Sequence, residues 1–411
     1  MQHILKTIME TTMKGKSLFM GSLLSMSLAF SAGVVQAADP VTVGVAIPLS
    51  GPMALSGQNI KRSIDIAVDN INQKGGIKSL GGAPLKMIYA DTTSDPSTGA
   101  NVVSRMISNN RPVAIQGAYG SSITFAATGV SERQKIPFLT MSFSDDIINR
   151  GYKFVYQVVA TASSMGKNQV EHTLELGKKA GAPPIQSIAV IFEDTAFGKS
   201  QADSVKKTAE AAGLKVVLFE SYAPGLADAV PLVNKIVAAK AQALFINATI
   251  SDSVLIIRGL RQQGDKTPIV AGGAGFLEPD FYKAIGAESE GIFVETPALA
   301  IGPLNEQYRA KYGTFMSHAG FEHAVITELI AEALEKTKSR SPTDLANALH
   351  EMTFKSGNAQ YMPGGGVKFD ARGANTMTYS IMAQWQNGEL VPIWPQGPQT
   401  KPFLWEGKKI Q

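Results

Sequence analysis

Hydroxyl side chains and glycines gather behind three apolar runs of this chain. "GAYGSSITFAAT" follows the run at 113–117 and offers Ser121 and Ser122. "LTMSFSDD" follows the next run and offers Ser142 and Ser144. "GPMALSG" follows the first and holds Ser56. Where a helix begins, its first backbone N–H groups have no intrahelical partner, so loop and hydroxyls together could receive a carboxylate. Each serine pair taken alone is as readily explained by ordinary N-capping. Three neighbouring loops of one composition argue instead for a shared polar wall at the C-terminal ends of strands, where open α/β sheets bind their ligands.

Other constellations carry less. "FGKS" at 197–200 resembles the end of a phosphate-binding loop, but Glu193 occupies the position that needs a glycine. His318 and His323 are five apart and do not stack on one helical face. With five histidines and no cysteine, no metal site is expected. Asp145 and Asp146 are adjacent and point in different directions, a poor acid/base pair. No nucleophile elbow or tied serine–histidine–acid set is present, so no catalytic residue, cofactor or enzymatic activity is expected.

The 411 residues are 44% hydrophobic and 18% charged, ample for more than one core. The net charge of +4 is spread without a basic stripe, which argues against nucleic acid as a partner. Lys14 and Lys16 precede an apolar stretch from Leu18 to Val35, and "VVQA" offers a cut after Ala37. That is the pattern of a cleaved export signal over 1–37, with a membrane anchor as the alternative. The region before the apolar stretch is long, and a start at Met13 would give a more ordinary signal than Met1. The absence of cysteine removes disulfides, thiolate metal sites and lipid attachment at a cysteine. A freely diffusing periplasmic protein is the expectation.

The elements that must position the hydroxyl loops follow a regular rhythm after Ala38. "VTVGVAIP" is an apolar, β-branched strand pattern, and Ile60, Ile64, Ala67, Val68 and Ile71 form one helical face behind it. "LKMIYAD", "PVAIQG", "SIAVIFED", "LKVVLFES", "AQALFINA", "TPIVAGG" and "GIFVETP" read as further strands, most separated by helix patterns. Later helices fall at "NEQYRAKYG", "EHAVITELIAEALEKT" and "PTDLANALHEM", and the tail "MTYSIMAQWQNGELVPIW" reads as strands around an Asn-Gly turn. The alternation predicts an α/β protein of two doubly wound, Rossmann-like lobes. No low-complexity linker divides them, so several short crossings are expected rather than one.

These segments, in order, resemble the Leu/Ile/Val-type periplasmic solute-binding proteins of ABC importers. "VGVAIPLSGPMALSGQNIKRSIDIAVDNINQKGGI", "GSSITFAAT", "IPFLTMSFS", "NRGYKFVYQV", "IAVIFEDTAFG", "LRQQG" and "VKFDARG" carry the resemblance across nearly the whole chain after the signal. It implies a type I periplasmic binding protein fold with a three-segment hinge near residues 158, 292 and 373. Lobe 1 would be 38–158 plus 293–372, and lobe 2 would be 159–292 plus 373–411. The ligand would be clamped by hinge closure and delivered to a membrane permease with its ATPase subunits, the binding protein acting as a monomer. A sensor of the same fold is the alternative; gene neighbours encoding a permease and an ATPase would separate the two.

By the same resemblance, Ser121 and the "LTMSFS" loop, with Ser144 as its hydroxyl and Ser142 beside it, would hold a carboxylate. Phe197 in "DTAFG" would close from the second lobe, keeping the ring of the family's tyrosine without its hydroxyl. Ser56 stands where an aromatic often lines the side-chain pocket, and Ser122, Tyr119, Thr249 and Phe276 complete the candidate set. One departure stands out. The acid that holds an amino acid's ammonium in this family corresponds here to Ala274, within "AGGAGF". Asp145, Asp194, Asp252 or Glu278 would have to replace it, or the ligand has no ammonium. Tyr119, Phe197 and Phe276 could flank a flat apolar body, which tilts the expectation toward an aromatic or other non-amino acid, with branched-chain amino acids close behind.

Overall fold

The computed structural model describes residues 38–410; the expected export signal, its cleavage site and the alternative starts lie outside the described residues. The chain opens with β1 (Val41–Ile47), α1 (Ala54–Gln73), β2 (Leu85–Asp91), α2 (Pro96–Asn110), β3 (Ala114–Gly117), α3 (Ser121–Arg133), β4 (Phe138–Thr140) and β5 (Val155–Gln157). These five strands form one parallel sheet in the order β2-β1-β3-β4-β5. β1 carries valines at 41, 43 and 45 that are fully buried, as a strand covered by helices on both faces requires.

The second sheet begins after α4 (Ala162–Lys179), with β6 (Ser187–Glu193), α5 (Ala196–Ala211), β7 (Lys215–Tyr222), α6 (Val230–Ala239), β8 (Ala243–Asn247), α7 (Ile250–Gln262), β9 (Ile269–Gly272), α8 (Pro279–Ile285) and β10 (Phe293–Thr296). Three helices follow, α9 (Pro303–Tyr312), α10 (His318–Thr337) and α11 (Pro342–Glu351), then β11 (Ile381–Gln386), β12 (Glu389–Trp394), β13 (Phe403–Trp405) and β14 (Lys408–Ile410). The sheet order is β12-β11-β10-β9-β8-β6-β7, parallel except for the antiparallel edge pair β11 and β12. Asn387 and Gly388, both at positive φ, make the tight turn of that hairpin. The β13–β14 hairpin has no counterpart among the expected elements.

α9, α10 and α11 return to the first sheet. Val325, Ile330 and Leu334 of α10 share a core with Val43, Val45 and Leu139. α10 is buried on nearly every face and starts at His318, four residues before the expected "EHAVITELIAEALEKT", because Ser317 caps it through the Gly320 N–H. The chain passes between the sheets after β5, after β10 and before β11. β10 keeps residues 293–296 in the second sheet, so the middle passage begins after Thr296 rather than near 292. The first and last passages lie side by side. The Gln157 N–H donates to the Gly373 carbonyl at 2.8 Å, and the Asn375 N–H to the Gln157 carbonyl at 3.0 Å. Gly373 has φ +84°, and a Cβ there would lie 1.9 Å from the Val155 carbonyl oxygen, so only glycine permits this approach. No helix among the described residues is long and apolar enough to cross a membrane.

Candidate functional site

Each sheet reverses its strand order at one place. In the first sheet β1 lies between β2 and β3, so the connections that leave β1 and β3 diverge. In the second sheet β6 lies between β7 and β8, so the loops after β6 and β8 diverge likewise. Crevices form at such points, at the C-terminal ends of the strands. A single cavity of about 220 Å³ opens between the two. Tyr119, Ser121, Ser122 and Phe143 contribute from the first sheet's side, and Glu193, Thr195, Phe197 and Thr249 from the second's.

Ser121 opens α3 behind Gly120, and no side chain caps that helix. The N–H groups of its first turn therefore point at the cavity without a side-chain partner, a partial positive charge suited to an anion. Ser121 Oγ accepts from the backbone N–H of Phe143 at 3.1 Å and of Ser144 at 3.2 Å. With both lone pairs engaged, its own hydrogen remains to be donated. Ser122 Oγ accepts from the Ala196 N–H at 3.3 Å and so ties α3 to the start of α5.

Tyr119 sits at φ +76° and receives the Ser56 hydroxyl at its phenol oxygen, 3.1 Å away. Burial, chiefly, keeps that phenol neutral by pushing its pKa far up. Ser142 lies behind this layer: its hydroxyl donates to the Tyr119 carbonyl at 2.9 Å and sits 2.6 Å from Thr124 Oγ1. Ser56, Ser142 and Ser144 are buried and support the wall without lining the cavity. Phe143 and Phe197 meet across it, ring centroids 5.1 Å apart. Phe197 is held there because Thr195 caps α5, accepting from the Gly198 N–H at 3.0 Å.

Phe276 is placed elsewhere. Its ring packs 5.0 Å from Phe281 in the core under the second sheet, and Trp385 Nε1 donates to its carbonyl at 2.9 Å. A 3-10 turn over Ala274–Leu277 rotates this ring inward. Ala274 starts that turn; its side chain lies outside what is described. The turn presses on α7, with a Gly275 Cβ position only 2.3 Å from Ile250 N.

None of the four acids weighed as substitutes lines the cavity. Asp145 accepts from Ser163 and Ser200, Asp252 from the N–H groups of Gly225 and Leu226, and Glu278 from Asn59. Glu193, the residue before Asp194, does line it, and it escaped the sequence reading. Glu193 is 3% exposed and accepts from the Thr249 N–H. Burial pushes its carboxyl up to about 7, with Asp252 adding to the rise and the Thr249 N–H opposing it. The Thr249 hydroxyl is buried with no partner among the described residues. No Lys, Arg or His is among the residues that line the cavity. The arrangement offers an anion a helix N-terminus and a hydroxyl at one side, aromatic faces in the middle, and a carboxyl on the other side.

The chain matches the model of a family described as periplasmic binding protein over residues 40–389. It is 30% identical over 402 residues to Leu/Ile/Val-binding protein homolog 8 of Brucella suis biovar 1 (strain 1330), covering 93% of this chain and 97% of that one. It is likewise 30% identical over 395 residues to Leu/Ile/Val-binding protein homolog 7 of Brucella abortus (strain 2308), covering 91% and 96%. Among solved structures, the branched-chain amino acid transporter substrate-binding protein LivJ of Streptococcus pneumoniae, in complex with isoleucine, superposes with a TM-score of 0.74 at 20% identity, over 86% of this chain and 98% of that one. A solute-binding protein of an ABC transporter from R. palustris, in complex with benzoate, gives 0.74 at 17% identity over 86% and 95%. At these identities the two structures speak to the fold alone.

Proposed function

Because this chain belongs to the periplasmic binding protein family, whose members bind solutes rather than transform them, we propose that it captures a small carboxylate-bearing solute for an ABC importer. The observation that carries this reading is Ser121: a buried hydroxyl with both lone pairs filled, at the open N-terminus of α3, facing the cavity. Its hydrogen and the helix N–H groups would take the carboxylate, and Phe143 and Phe197 would enclose the apolar body. A cavity of about 150 Å³ suffices for benzene, so the volume here suits a single ring or a short branched chain plus its carboxylate. The clamp has two lobes, 38–158 with 297–372 and 159–296 with 373–410, swinging on the three passages. The monomer in its closed form is what a permease and its ATPase subunits would read.

A non-amino acid, aromatic or aliphatic, is the favoured ligand, because position 274 lacks the acid and the Glu193 carboxyl, pushed up to about 7, tolerates a nearby carboxylate on the acid side of that value. A branched-chain amino acid is the second reading, favoured by Glu193 itself. Once ionised, that carboxyl would face the ammonium, with the Thr249 hydroxyl as a further acceptor. The names of the curated relatives support the second reading.

The deciding experiment is a thermal-shift screen with matched pairs: L-leucine against 4-methylpentanoate, and L-phenylalanine against benzoate and phenylacetate. A ligand at 100 times its Kd adds about 2.7 kcal/mol of stability. Shifts confined to the acids without an amino group are expected. Shifts confined to the amino acids would move the assignment to the second reading, and no shift with any carboxylate would remove the proposal.

A further inference from the structure

Two rings that line the cavity have a buried polar cluster at their backs. Phe143 stacks on His318 at 5.9 Å, and the Tyr119 hydroxyl meets Ser56. At the centre is Glu278, which precedes α8 on the second sheet's side and is fully buried. Its Oε2 accepts from Asn59 Nδ2 of α1 at 3.0 Å, and its Oε1 has no partner among the described residues. Asp280 accepts from the same amide at 3.1 Å and pairs with Lys283 at 3.0 Å. From α10 come His318, Glu322 and His323, all buried, with His318 Nδ1 3.4 Å from Glu322 Oε2. Arg62 of α1 reaches Asn59 Oδ1 at 3.4 Å, and Tyr308 of α9 presents a buried hydroxyl without a partner.

Three carboxyls thus meet two imidazoles and two cations, and the cations are not Glu278's. Lys283 goes to Asp280 and Arg62 to Asn59. His318 is shared with Glu322, so one imidazolium cannot neutralise both acids. Burial, with His318 adding to it, holds His323 neutral, down to about 3. An ionised carboxylate buried beside one amide N–H and a Ser56 hydroxyl that is already given to Tyr119 is costly; a protonated one is far less so. Glu278 is also the member whose surroundings depend on the lobes meeting. Asn59, Tyr119, His318 and Glu322 all belong to the first sheet's side, and Glu278 to the second's.

We propose that lobe closure loads Glu278 with a proton taken from water, so that solute capture is coupled to proton uptake, and opening returns the proton. The inference rests on the clamp reading above. Burial pushes the carboxyls of Glu278 and Glu322 up, with His318 pulling the other way. The sign follows. Below the ordinary carboxylate range Glu278 is protonated whether open or closed, and closure gains or loses nothing. As pH rises through that range the open form releases its proton while the closed form keeps it. Affinity then falls, by up to about tenfold per pH unit for one proton, until the closed form also ionises.

A cross-link tests this without a ligand. Ser200 Oγ of α5 donates to Asp145 Oδ2, beyond β4, at 2.7 Å, and the chain has no cysteine of its own. Asp145→Cys with Ser200→Cys places two thiols across this contact, and the oxidised fraction that mass spectrometry shows to be cross-linked holds the lobes together. All proteins would carry Glu193→Gln, so that the cavity acid contributes nothing. At pH 7, infrared spectra of the oxidised protein should show a protonated-carboxyl band that the reduced protein lacks. The band should vanish when Glu278→Gln is added. A band unaffected by oxidation, or undiminished by Glu278→Gln, overturns the proposal. Should Glu278→Gln fail to fold, carbon-13 NMR of the glutamate carboxyls decides on the parent pair. One resonance must move to the protonated position on oxidation, and none moving overturns the coupling. If the two cysteines do not join directly, a short dithiol-bridging reagent spans them and the spectra are compared on that species; if the reagent fails to bridge them too, the lobes do not meet as described, and the clamp reading falls with the inference.

Discussion

Replacing Ser121 by alanine deletes the cavity hydroxyl at the start of α3 whose lone pairs are both filled, leaving its hydrogen to donate. It also frees the N–H groups of Phe143 and Ser144 that it receives. A charge-assisted hydrogen bond is worth about 1.5–3 kcal/mol, so calorimetry with the best carboxylate of the screen should show roughly a 10- to 150-fold weaker Kd. Glu193→Gln asks a different question. Protonated below about 7 and ionised above it, Glu193 repels a ligand carboxylate only on the alkaline side. Affinity for a non-amino acid should fall from pH 6 to 8 more steeply in the native protein than in Glu193→Gln, where only the Glu278 contribution remains; a fall of equal size in both rules out this role. Ser121 was legible because a hydroxyl at a strand end before a helix has a local reason to be there. Glu193 was not, since many acids stand at strand ends. What sets it apart is that β6 neighbours β8 as well as β7, and strand order leaves no mark in the local sequence. Phe276 misled for a related reason: the indole that anchors its backbone belongs to Trp385, a hundred residues on.

At the scale of elements, the start of α5 is the part least able to shift. Thr195 caps it, Ser122 reaches over to it, and Gly198 lies so close to β6 that a Cβ would sit 2.1 Å from the Glu193 carbonyl oxygen. Gly198→Ala must push helix and strand apart, which costs about 1–3 kcal/mol and carries Phe197 away from Phe143. Urea unfolding should show that loss, together with weaker solute binding. Full stability with altered binding alone would mean that the strand end gives way more easily than the contact implies. Most elements were legible because the inner strands β1, β3, β6, β8, β9 and β10 are buried on both faces and glycines such as Gly75 and Gly213 follow the helices between strands. The exceptions are instructive. The β13–β14 hairpin has strands of three residues, too short for any periodicity to register. The first turn of α10 is built from His318, Ala319, Gly320 and Phe321, which read as loop until Ser317 is seen to cap it.

For the whole molecule, the absence of a linker in the sequence is explained by passages that are themselves hydrogen-bonded. Gln157 pairs with both Gly373 and Asn375, and Asn375 Nδ2 donates to the Val158 carbonyl at 2.8 Å. Two strands bonded to each other bend together and resist shear, which favours rotation of one half against the other over sliding. That the halves exist could be read from the number of strand–helix units. Where the middle passage begins could not, since β10 differs in no local property from the strands of either sheet.

The return of α10 to the first sheet also bears on how the chain becomes folded at all. The strands of that sheet are complete by Gln157, yet the helix that covers one of its faces begins at His318, and Tyr156 donates its hydroxyl to Ala346 at 2.9 Å. A nascent chain that has not yet produced α10 carries a finished set of strands with a bare apolar face. Contacts so distant in sequence close slowly, because the loop entropy is lost before the burial is gained. The first sheet must therefore wait for roughly the last quarter of the chain's synthesis, and during that wait it depends on whatever keeps exposed strands apart.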